Sequence, residues 1–283
     1  MTDHLAQQIF EAKWICNGFP KAGTHLLARL LLPIAPLEPA TEAGYFEQPW
    51  AGTFRDNSFS LSRQPHKTTT FRIGRIGNGH MVKAHLGYTG DLARFIEELG
   101  AMHVMIYRDL RDVAVSQAYH ILAAEEDEAL AHPAPDIYDR DDFDHLLLQV
   151  ITGHERFPSL AERWEAYAPW LEDDWSHCVK FEDVVADPRE WAIRIWRRSM
   201  RLMAERFGVT VSFDPEGADT VVNVMAASAQ RRHLSPTFRK GEPGGWQEAF
   251  KPQHAQAFLD TRGGYWLQEL GYEEDEEWAK IPH

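Results

Sequence analysis

Residues 19 to 26, Phe-Pro-Lys-Ala-Gly-Thr-His-Leu, follow the apolar run Trp14-Ile15-Cys16-Asn17-Gly18 and lead into a helix-forming stretch, Leu26 to Leu32. The order is strand, turn, helix. A turn of this kind aims several backbone N–H groups and the positive end of a helix at one point, where anions bind. It is not a Walker A loop, which needs Gly, four residues and then Gly-Lys-Ser/Thr. Here Gly23 is followed by Thr24 and His25, and the loop's lysine, Lys21, precedes the glycine. A nucleotide-hydrolysing reading therefore loses its usual lysine. An ordinary strand-to-helix turn uses the same residues, so the loop takes its meaning from the segments that accompany it.

At 283 residues and 44% apolar, the chain can bury one large core. A single domain over residues 1–283 is expected, with loop-rich excursions near 36–76 and 124–158 where the sequence is polar and punctuated by Pro and Gly. No apolar run approaches the ~20 residues that span a bilayer, and the first eight residues have neither a basic nor an apolar signal region. Cys16 and Cys178 lie in apolar strand-like stretches with no Cys or His at metal spacing, so they read as buried thiols. The expected compartment is reducing and cytoplasmic. Lys and Arg number 29 against 43 Asp and Glu, a formal net charge of -14. That balance argues against nucleic acid or another polyanion as partner, and requires a local basic cluster for any anionic ligand.

Strand-like runs alternate with helical ones, the pattern of a three-layer α/β fold with a central parallel sheet and helices on both faces. The strand candidates are Trp14 to Phe19, Met81 to His85, His103 to Arg108 and His177 to Phe181. Helical periodicity is clearest in Asp91 to Leu99, Asp109 to Ala124 and Pro188 to Phe207, where Pro188 suits a first turn.

Three further segments bear on chemistry. Met81 to Gly87 reads as a strand ending at a glycine, and Lys83 and His85, two apart, project to the same side near its carboxyl end, where open parallel sheets bind ligands. Arg108 would follow another strand and precede the helix carrying Ser116. A guanidinium there offers a planar fork to a phosphate, and the alternative use is an ion pair with Asp112. Last, Arg239-Lys240-Gly241-Glu242-Pro243-Gly244-Gly245-Trp246 sets two cations beside glycines.

In this order the four segments resemble the 3'-phosphoadenosine 5'-phosphosulfate-dependent sulfotransferases of the cytosolic type. That family carries a Tyr-Pro-Lys-Ser-Gly-Thr-Thr-Trp loop, a Lys-Thr-His strand end, an Arg-(x)7-Ser element and a late Arg-Lys-Gly-x-x-Gly-x-Trp loop. This chain has Phe19 to Leu26, Lys83-Ala84-His85, Arg108 to Ser116 and Arg239 to Trp246 in the matching places, and Phe181-Glu182-Asp183 looks like the family's Tyr-Glu-Asp segment.

The resemblance implies a P-loop-like fold and transfer of a sulfuryl group from 3'-phosphoadenosine 5'-phosphosulfate to a hydroxyl of a small-molecule alcohol or phenol, with no metal. Lys21, Ala22, Gly23, Thr24, His25 and Leu26 would hold the 5'-phosphosulfate, and Lys21 would meet the bridging oxygen. Arg108, Ser116, Arg239, Lys240 and Gly241 would take the 3'-phosphate. His85 would be the base, with Lys83 beside it, and Phe181 would border the cofactor. A histidine of ordinary pKa, ~6.5 unless Lys83 lowers it, suits proton removal, and a lysine suits the charge on the departing phosphate. Leu26 and Phe181 stand where the family has an adenine-stacking tryptophan and a tyrosine, which implies an adenine pocket built differently. The family's dimerisation signature would fall on Gln247, Lys251, Pro252 and Gln256 and is not matched. A nucleotide or small-molecule kinase is the alternative, and it would need a magnesium ligand set and a post-glycine lysine.

Overall fold

The structure, a computed structural model, describes residues 9–37, 46–47, 67–126, 139, 141–154, 157–208, 215–231 and 241–280. Among these, five strands form one parallel sheet: β1 (Trp14–Gly18), β2 (Phe46–Glu47), β3 (Met81–His85), β4 (Met102–Tyr107) and β5 (Ser176–Lys180), in the spatial order β2-β3-β1-β4-β5. The helices, in chain order, are α1 (Thr24–Leu31), α2 (Lys67–Gly74), α3 (Gly90–Leu99), α4 (Leu110–Glu126), α5 (Phe143–Thr152), α6 (Leu160–Glu165), α7 (Phe181–Ala186), α8 (Pro188–Phe207), α9 (Pro215–Gln230), α10 (Trp246–Ala249), α11 (Pro252–Asp260) and α12 (Gly263–Glu269). The architecture is the α/β one expected, a central parallel sheet with helices around it. No described helix is long and apolar enough to cross a membrane.

The described residues divide into two compact units. One draws on 1–48, 62–107 and 168–241 and contains the whole sheet; the other draws on 108–167 and 242–283. In the sheet unit, β1 is central and every one of its five residues is buried, as a strand covered on both faces must be. Its register pairs Trp14 with Met81 and Cys16 with Lys83 on one side, and Trp14 with Met102 and Gly18 with Ile106 on the other. Alternation then sends Trp14, Cys16, Val104, Ile106 and Val179 to one face, where they share a core with Leu27 and Leu31 of α1, Ile195 and Met203 of α8, and Val222 and Met225 of α9. On the opposite face His103 lies 4.2 Å from the ring of Trp170, carried by the 3-10 turn Ala168–Glu172.

Local signals explain the element ends. Asp187 accepts from the Glu190 N–H at 2.9 Å with Pro188 in the first turn of α8, and Gly208 closes that helix at φ 63. The sequence places β3 and α8 at their observed bounds. It misses the short edge strand β2 and, within the stretches expected to be loop-rich, the helices α2 and α5. The α5 cap is Asp142, which accepts from the N–H groups of Asp144 and His145, and Leu146, Leu147, Val150 and Ile151 supply its buried stripe. In the second unit Arg163 of α6 donates to Gln117 of α4 at 2.8 Å and to the Val150 carbonyl of α5 at 3.2 Å, tying three helices together.

Candidate active site

The turn between β1 and α1 is tight and takes two left-handed residues, Lys21 at φ 69 and Gly23 at φ 108. Gly23 is also the cap residue of α1. It offers no side-chain acceptor, and the first turn contains no acidic residue, so the leading amides of α1 have no side-chain oxygen from the chain's own cap. Glycine is required at two points here. A Cβ on Gly23 would come within 2.5 Å of the Phe181 ring, and one on Gly18 within 2.5 Å of the Thr24 hydroxyl. Thr24 Oγ1 is buried and has no hydrogen-bond partner among the described residues. An uncapped helix start beside an orphaned hydroxyl is suited to an anion's oxygens.

Two side chains of β3 face this turn's side of the sheet. Lys83 is level with Cys16, and two residues on, His85 places Nδ1 2.7 Å from the Gly18 carbonyl oxygen. A carbonyl only accepts, so Nδ1 carries the proton and Nε2 carries the lone pair. The end of β1 is held by a reciprocal pair: Asn17 Nδ2 donates to the Leu86 carbonyl at 2.9 Å, and the Leu86 N–H donates to Asn17 Oδ1 at 2.8 Å. Trp170 Nε1 donates to the same Leu86 carbonyl at 2.8 Å. Asn17 thereby fixes the strand ends that set the Gly18–His85 contact. Asn17 is a site residue without a sequence motif; its signal is an asparagine inside an apolar strand, fully buried here.

The electrostatics of the cluster run one way. Burial lowers the pKa of Lys21 to about 8. Burial, joined by Lys83, Lys21, His85 and Arg29, lowers His25 to about 3. His85 falls to about 4 through burial and the charges of Lys21 and Lys83, against the opposing pull of the Gly18 carbonyl. The His85 imidazole is thus neutral well below the ordinary histidine range. A site that withdraws cations from water gains stability from a bound anion.

Phe181 is buried at the first position of α7, since β5 ends one residue earlier, at Lys180, than the sequence suggests. Its ring walls the turn at Gly23. Leu26 is buried in the shared core, 3% exposed, so its side chain belongs to packing. Ala22 is likewise buried, and its N–H donates to the Phe19 carbonyl at 3.0 Å.

In the second unit Arg108 is buried directly before α4. Its Nη2 donates to Asp112 Oδ2 at 3.0 Å and to the Glu242 carbonyl at 2.7 Å. The ion pair weighed from sequence is therefore present. Asp112 does more than pair: its Oδ2 accepts from the Gly244 N–H at 2.8 Å and its Oδ1 from the Trp246 N–H at 2.9 Å, binding the glycine-rich loop to α4. Ser116, half-buried, lies one helical turn beyond Asp112 on the same face. Gly241 has φ 64, a conformation open to glycine, while Arg239 and Lys240 lie outside the described residues.

The sulfotransferase domain family matches residues 12–269 of the chain. No curated protein matches the sequence. Among solved structures, the mouse sulfotransferase SULT7A1 complexed with PAP has a TM-score of 0.54 at 16% identity, covering 100% of this chain and 95% of its own. Retinol dehydratase in complex with androsterone and inactive cofactor PAP gives 0.53 at 14% identity, with 91% and 84% covered. The same enzyme with retinol and PAP gives 0.51 at 14%. At such identities the likeness is one of fold.

Proposed function

The chain belongs to the sulfotransferase domain family, and on that footing we propose that it moves a sulfuryl group from 3'-phosphoadenosine 5'-phosphosulfate to the hydroxyl of a small-molecule alcohol or phenol. The observation that carries the reading is the cluster of Lys21, His25, Lys83 and His85 around an uncapped helix start. The orphaned Thr24 hydroxyl fits an anionic donor at the same place.

The donor supplies the activated sulfuryl group. The amides of residues 21 and 23–26 and the Thr24 hydroxyl hold its 5'-phosphosulfate, with Ala22 shaping the turn between them, and Lys21 neutralises charge that builds on the departing phosphate oxygens. His85, oriented by Gly18, accepts the acceptor's hydroxyl proton at Nε2, and burial, aided by the charges of Lys21 and Lys83, keeps the imidazole neutral until it does so. Arg108 and Ser116 take the 3'-phosphate together with Arg239, Lys240 and Gly241, and Phe181 limits the pocket beside Gly23. The acceptor class is supported by the androsterone and retinol bound to retinol dehydratase, both small hydroxyl compounds. A reducing, cytoplasmic setting suits two free cysteines, Cys16 and Cys178.

The test has two steps. Adenosine 3',5'-bisphosphate (PAP) at saturating concentration should raise the unfolding temperature, and an acceptor library incubated with the donor should show a product heavier by one sulfo group. Absence of both, or ATP turnover that requires Mg²⁺, overturns the reading.

A further inference from the structure

The glycine-rich loop of the second unit is braced from a side the family pattern does not describe. Trp246, whose N–H is held by Asp112, lies with its ring centroid 3.8 Å from the Arg111 guanidinium carbon, and the Trp278 ring stands 4.7 Å from the same carbon. The two indoles are perpendicular at 5.8 Å, and Trp278 meets Phe258 edge-on at 5.9 Å. Arg111 is itself locked. Its Nε and Nη2 donate to the Asp109 carboxylate, at 3.0 and 2.7 Å, and its Nη1 pairs with Glu273 at 2.6 Å. The guanidinium is almost wholly withdrawn from water, its side chain 3% exposed, a setting in which cation–π attraction is strong. Glu273 and Trp278 both lie beyond residue 269, where the family match ends.

We propose that Arg111 and Trp278 are positioning residues for the donor's 3'-phosphate, acting through Trp246 and Asp112 on Arg108. The inference rests on the donor assigned above. Arg108 must share its fork between Asp112 and a phosphate. Asp112 gives it up more readily while two backbone N–H groups, of Gly244 and Trp246, occupy the same carboxylate. The Arg111–Trp278 brace keeps Trp246, and hence those N–H groups, in place. Without it the carboxylate turns to Arg108 alone and draws its charge away from the ligand.

The experiment compares PAP with adenosine 5'-monophosphate, which lacks only the 3'-phosphate, by calorimetry on the whole chain. Trp278→Ala should weaken PAP about tenfold more than it weakens the monophosphate. KM for the donor should rise by more than kcat falls, and Trp278→Phe should recover most of the loss. Arg111→Lys, which keeps the charge and loses the planar fork, carries the same expectation should Trp278→Ala fail to fold. Equal losses for both nucleotides, or none, overturn the positioning role. A wild-type chain that fails to prefer PAP over the monophosphate overturns the 3'-phosphate assignment itself and with it the donor reading.

Discussion

Lys21 is a non-glycine residue at φ 69, a backbone conformation that costs of order 1–2 kcal/mol and places its half-buried ammonium within the anion-facing turn. In the proposed reaction this cation of the turn would meet the charge on the leaving group. Lys21→Ala should lower sulfuryl transfer by about 10²-fold or more and weaken PAP as well, measured by steady-state kinetics and calorimetry. Lys21→Arg should recover only part, because a planar fork replaces a compact point charge. Near-normal turnover in either variant removes Lys21 from that role. For His85 the sign of the pH dependence follows from its depressed pKa. If His85 is the base, as proposed, the neutral imidazole is the active form, so kcat/KM should rise with pH through about 4 in the free enzyme and be flat by neutrality. The proposed donor would bring negative charge beside the ring and raise that pKa, so the limb in kcat should lie at higher pH than the limb in kcat/KM. Both limbs should vanish in His85→Ala with an aliphatic alcohol as acceptor, which has no titration of its own in this range. If the variant keeps the limb and the rate, the base is another residue, with His25 the next to replace.

At the scale of elements, the turn between β1 and α1 works only with a residue at position 23 that has no side chain. Gly23→Ala brings a methyl into the Phe181 ring and asks an L-residue to hold φ 108, so PAP affinity should fall about tenfold or more. Adding Phe181→Ala removes the clash and leaves the backbone strain. The double variant should therefore regain only part of the affinity, and full recovery would mean that sterics alone fix the glycine. The turn, the β3 pair and the β4–α4 junction were legible in sequence because each is a contiguous apolar run ending in polar or glycine residues, and the parallel alternation followed from them. Other elements were not legible for physical reasons. β2 has two residues, too few to show a period. α5 is preceded by the Pro-rich segment around residues 133–135, which hides the Asp142 cap. The roles of Asn17 and Asp112 depend on which backbone groups of other segments reach them. The Arg111–Trp246–Trp278 brace joins three stretches far apart in sequence, and periodicity carries no trace of such contacts.

At the scale of the whole molecule, the formal charge of -14 sets a long-range field that opposes the proposed anion site around Lys21 and His85. The proposed donor would be held by short-range contacts within a few ångströms, where solvent ions screen little. An acceptor approaching from bulk feels the overall field, which decays over ~10 Å at 0.1 M salt. The charge of the acceptor should therefore matter most at low ionic strength. Two alcohols of similar size, one bearing a quaternary ammonium and one a carboxylate, separate the effects. At about 0.02 M salt the cationic alcohol should show the higher kcat/KM, and by about 0.5 M the ratio should approach that of the contacts alone. An uncharged alcohol of the same shape should change far less over the series, and kcat at saturating acceptor should stay nearly constant, because steering acts on encounter and leaves the chemical step alone. A carboxylate acceptor favoured at every ionic strength would place acceptor selection in local cationic contacts, with no contribution from the acidic surface.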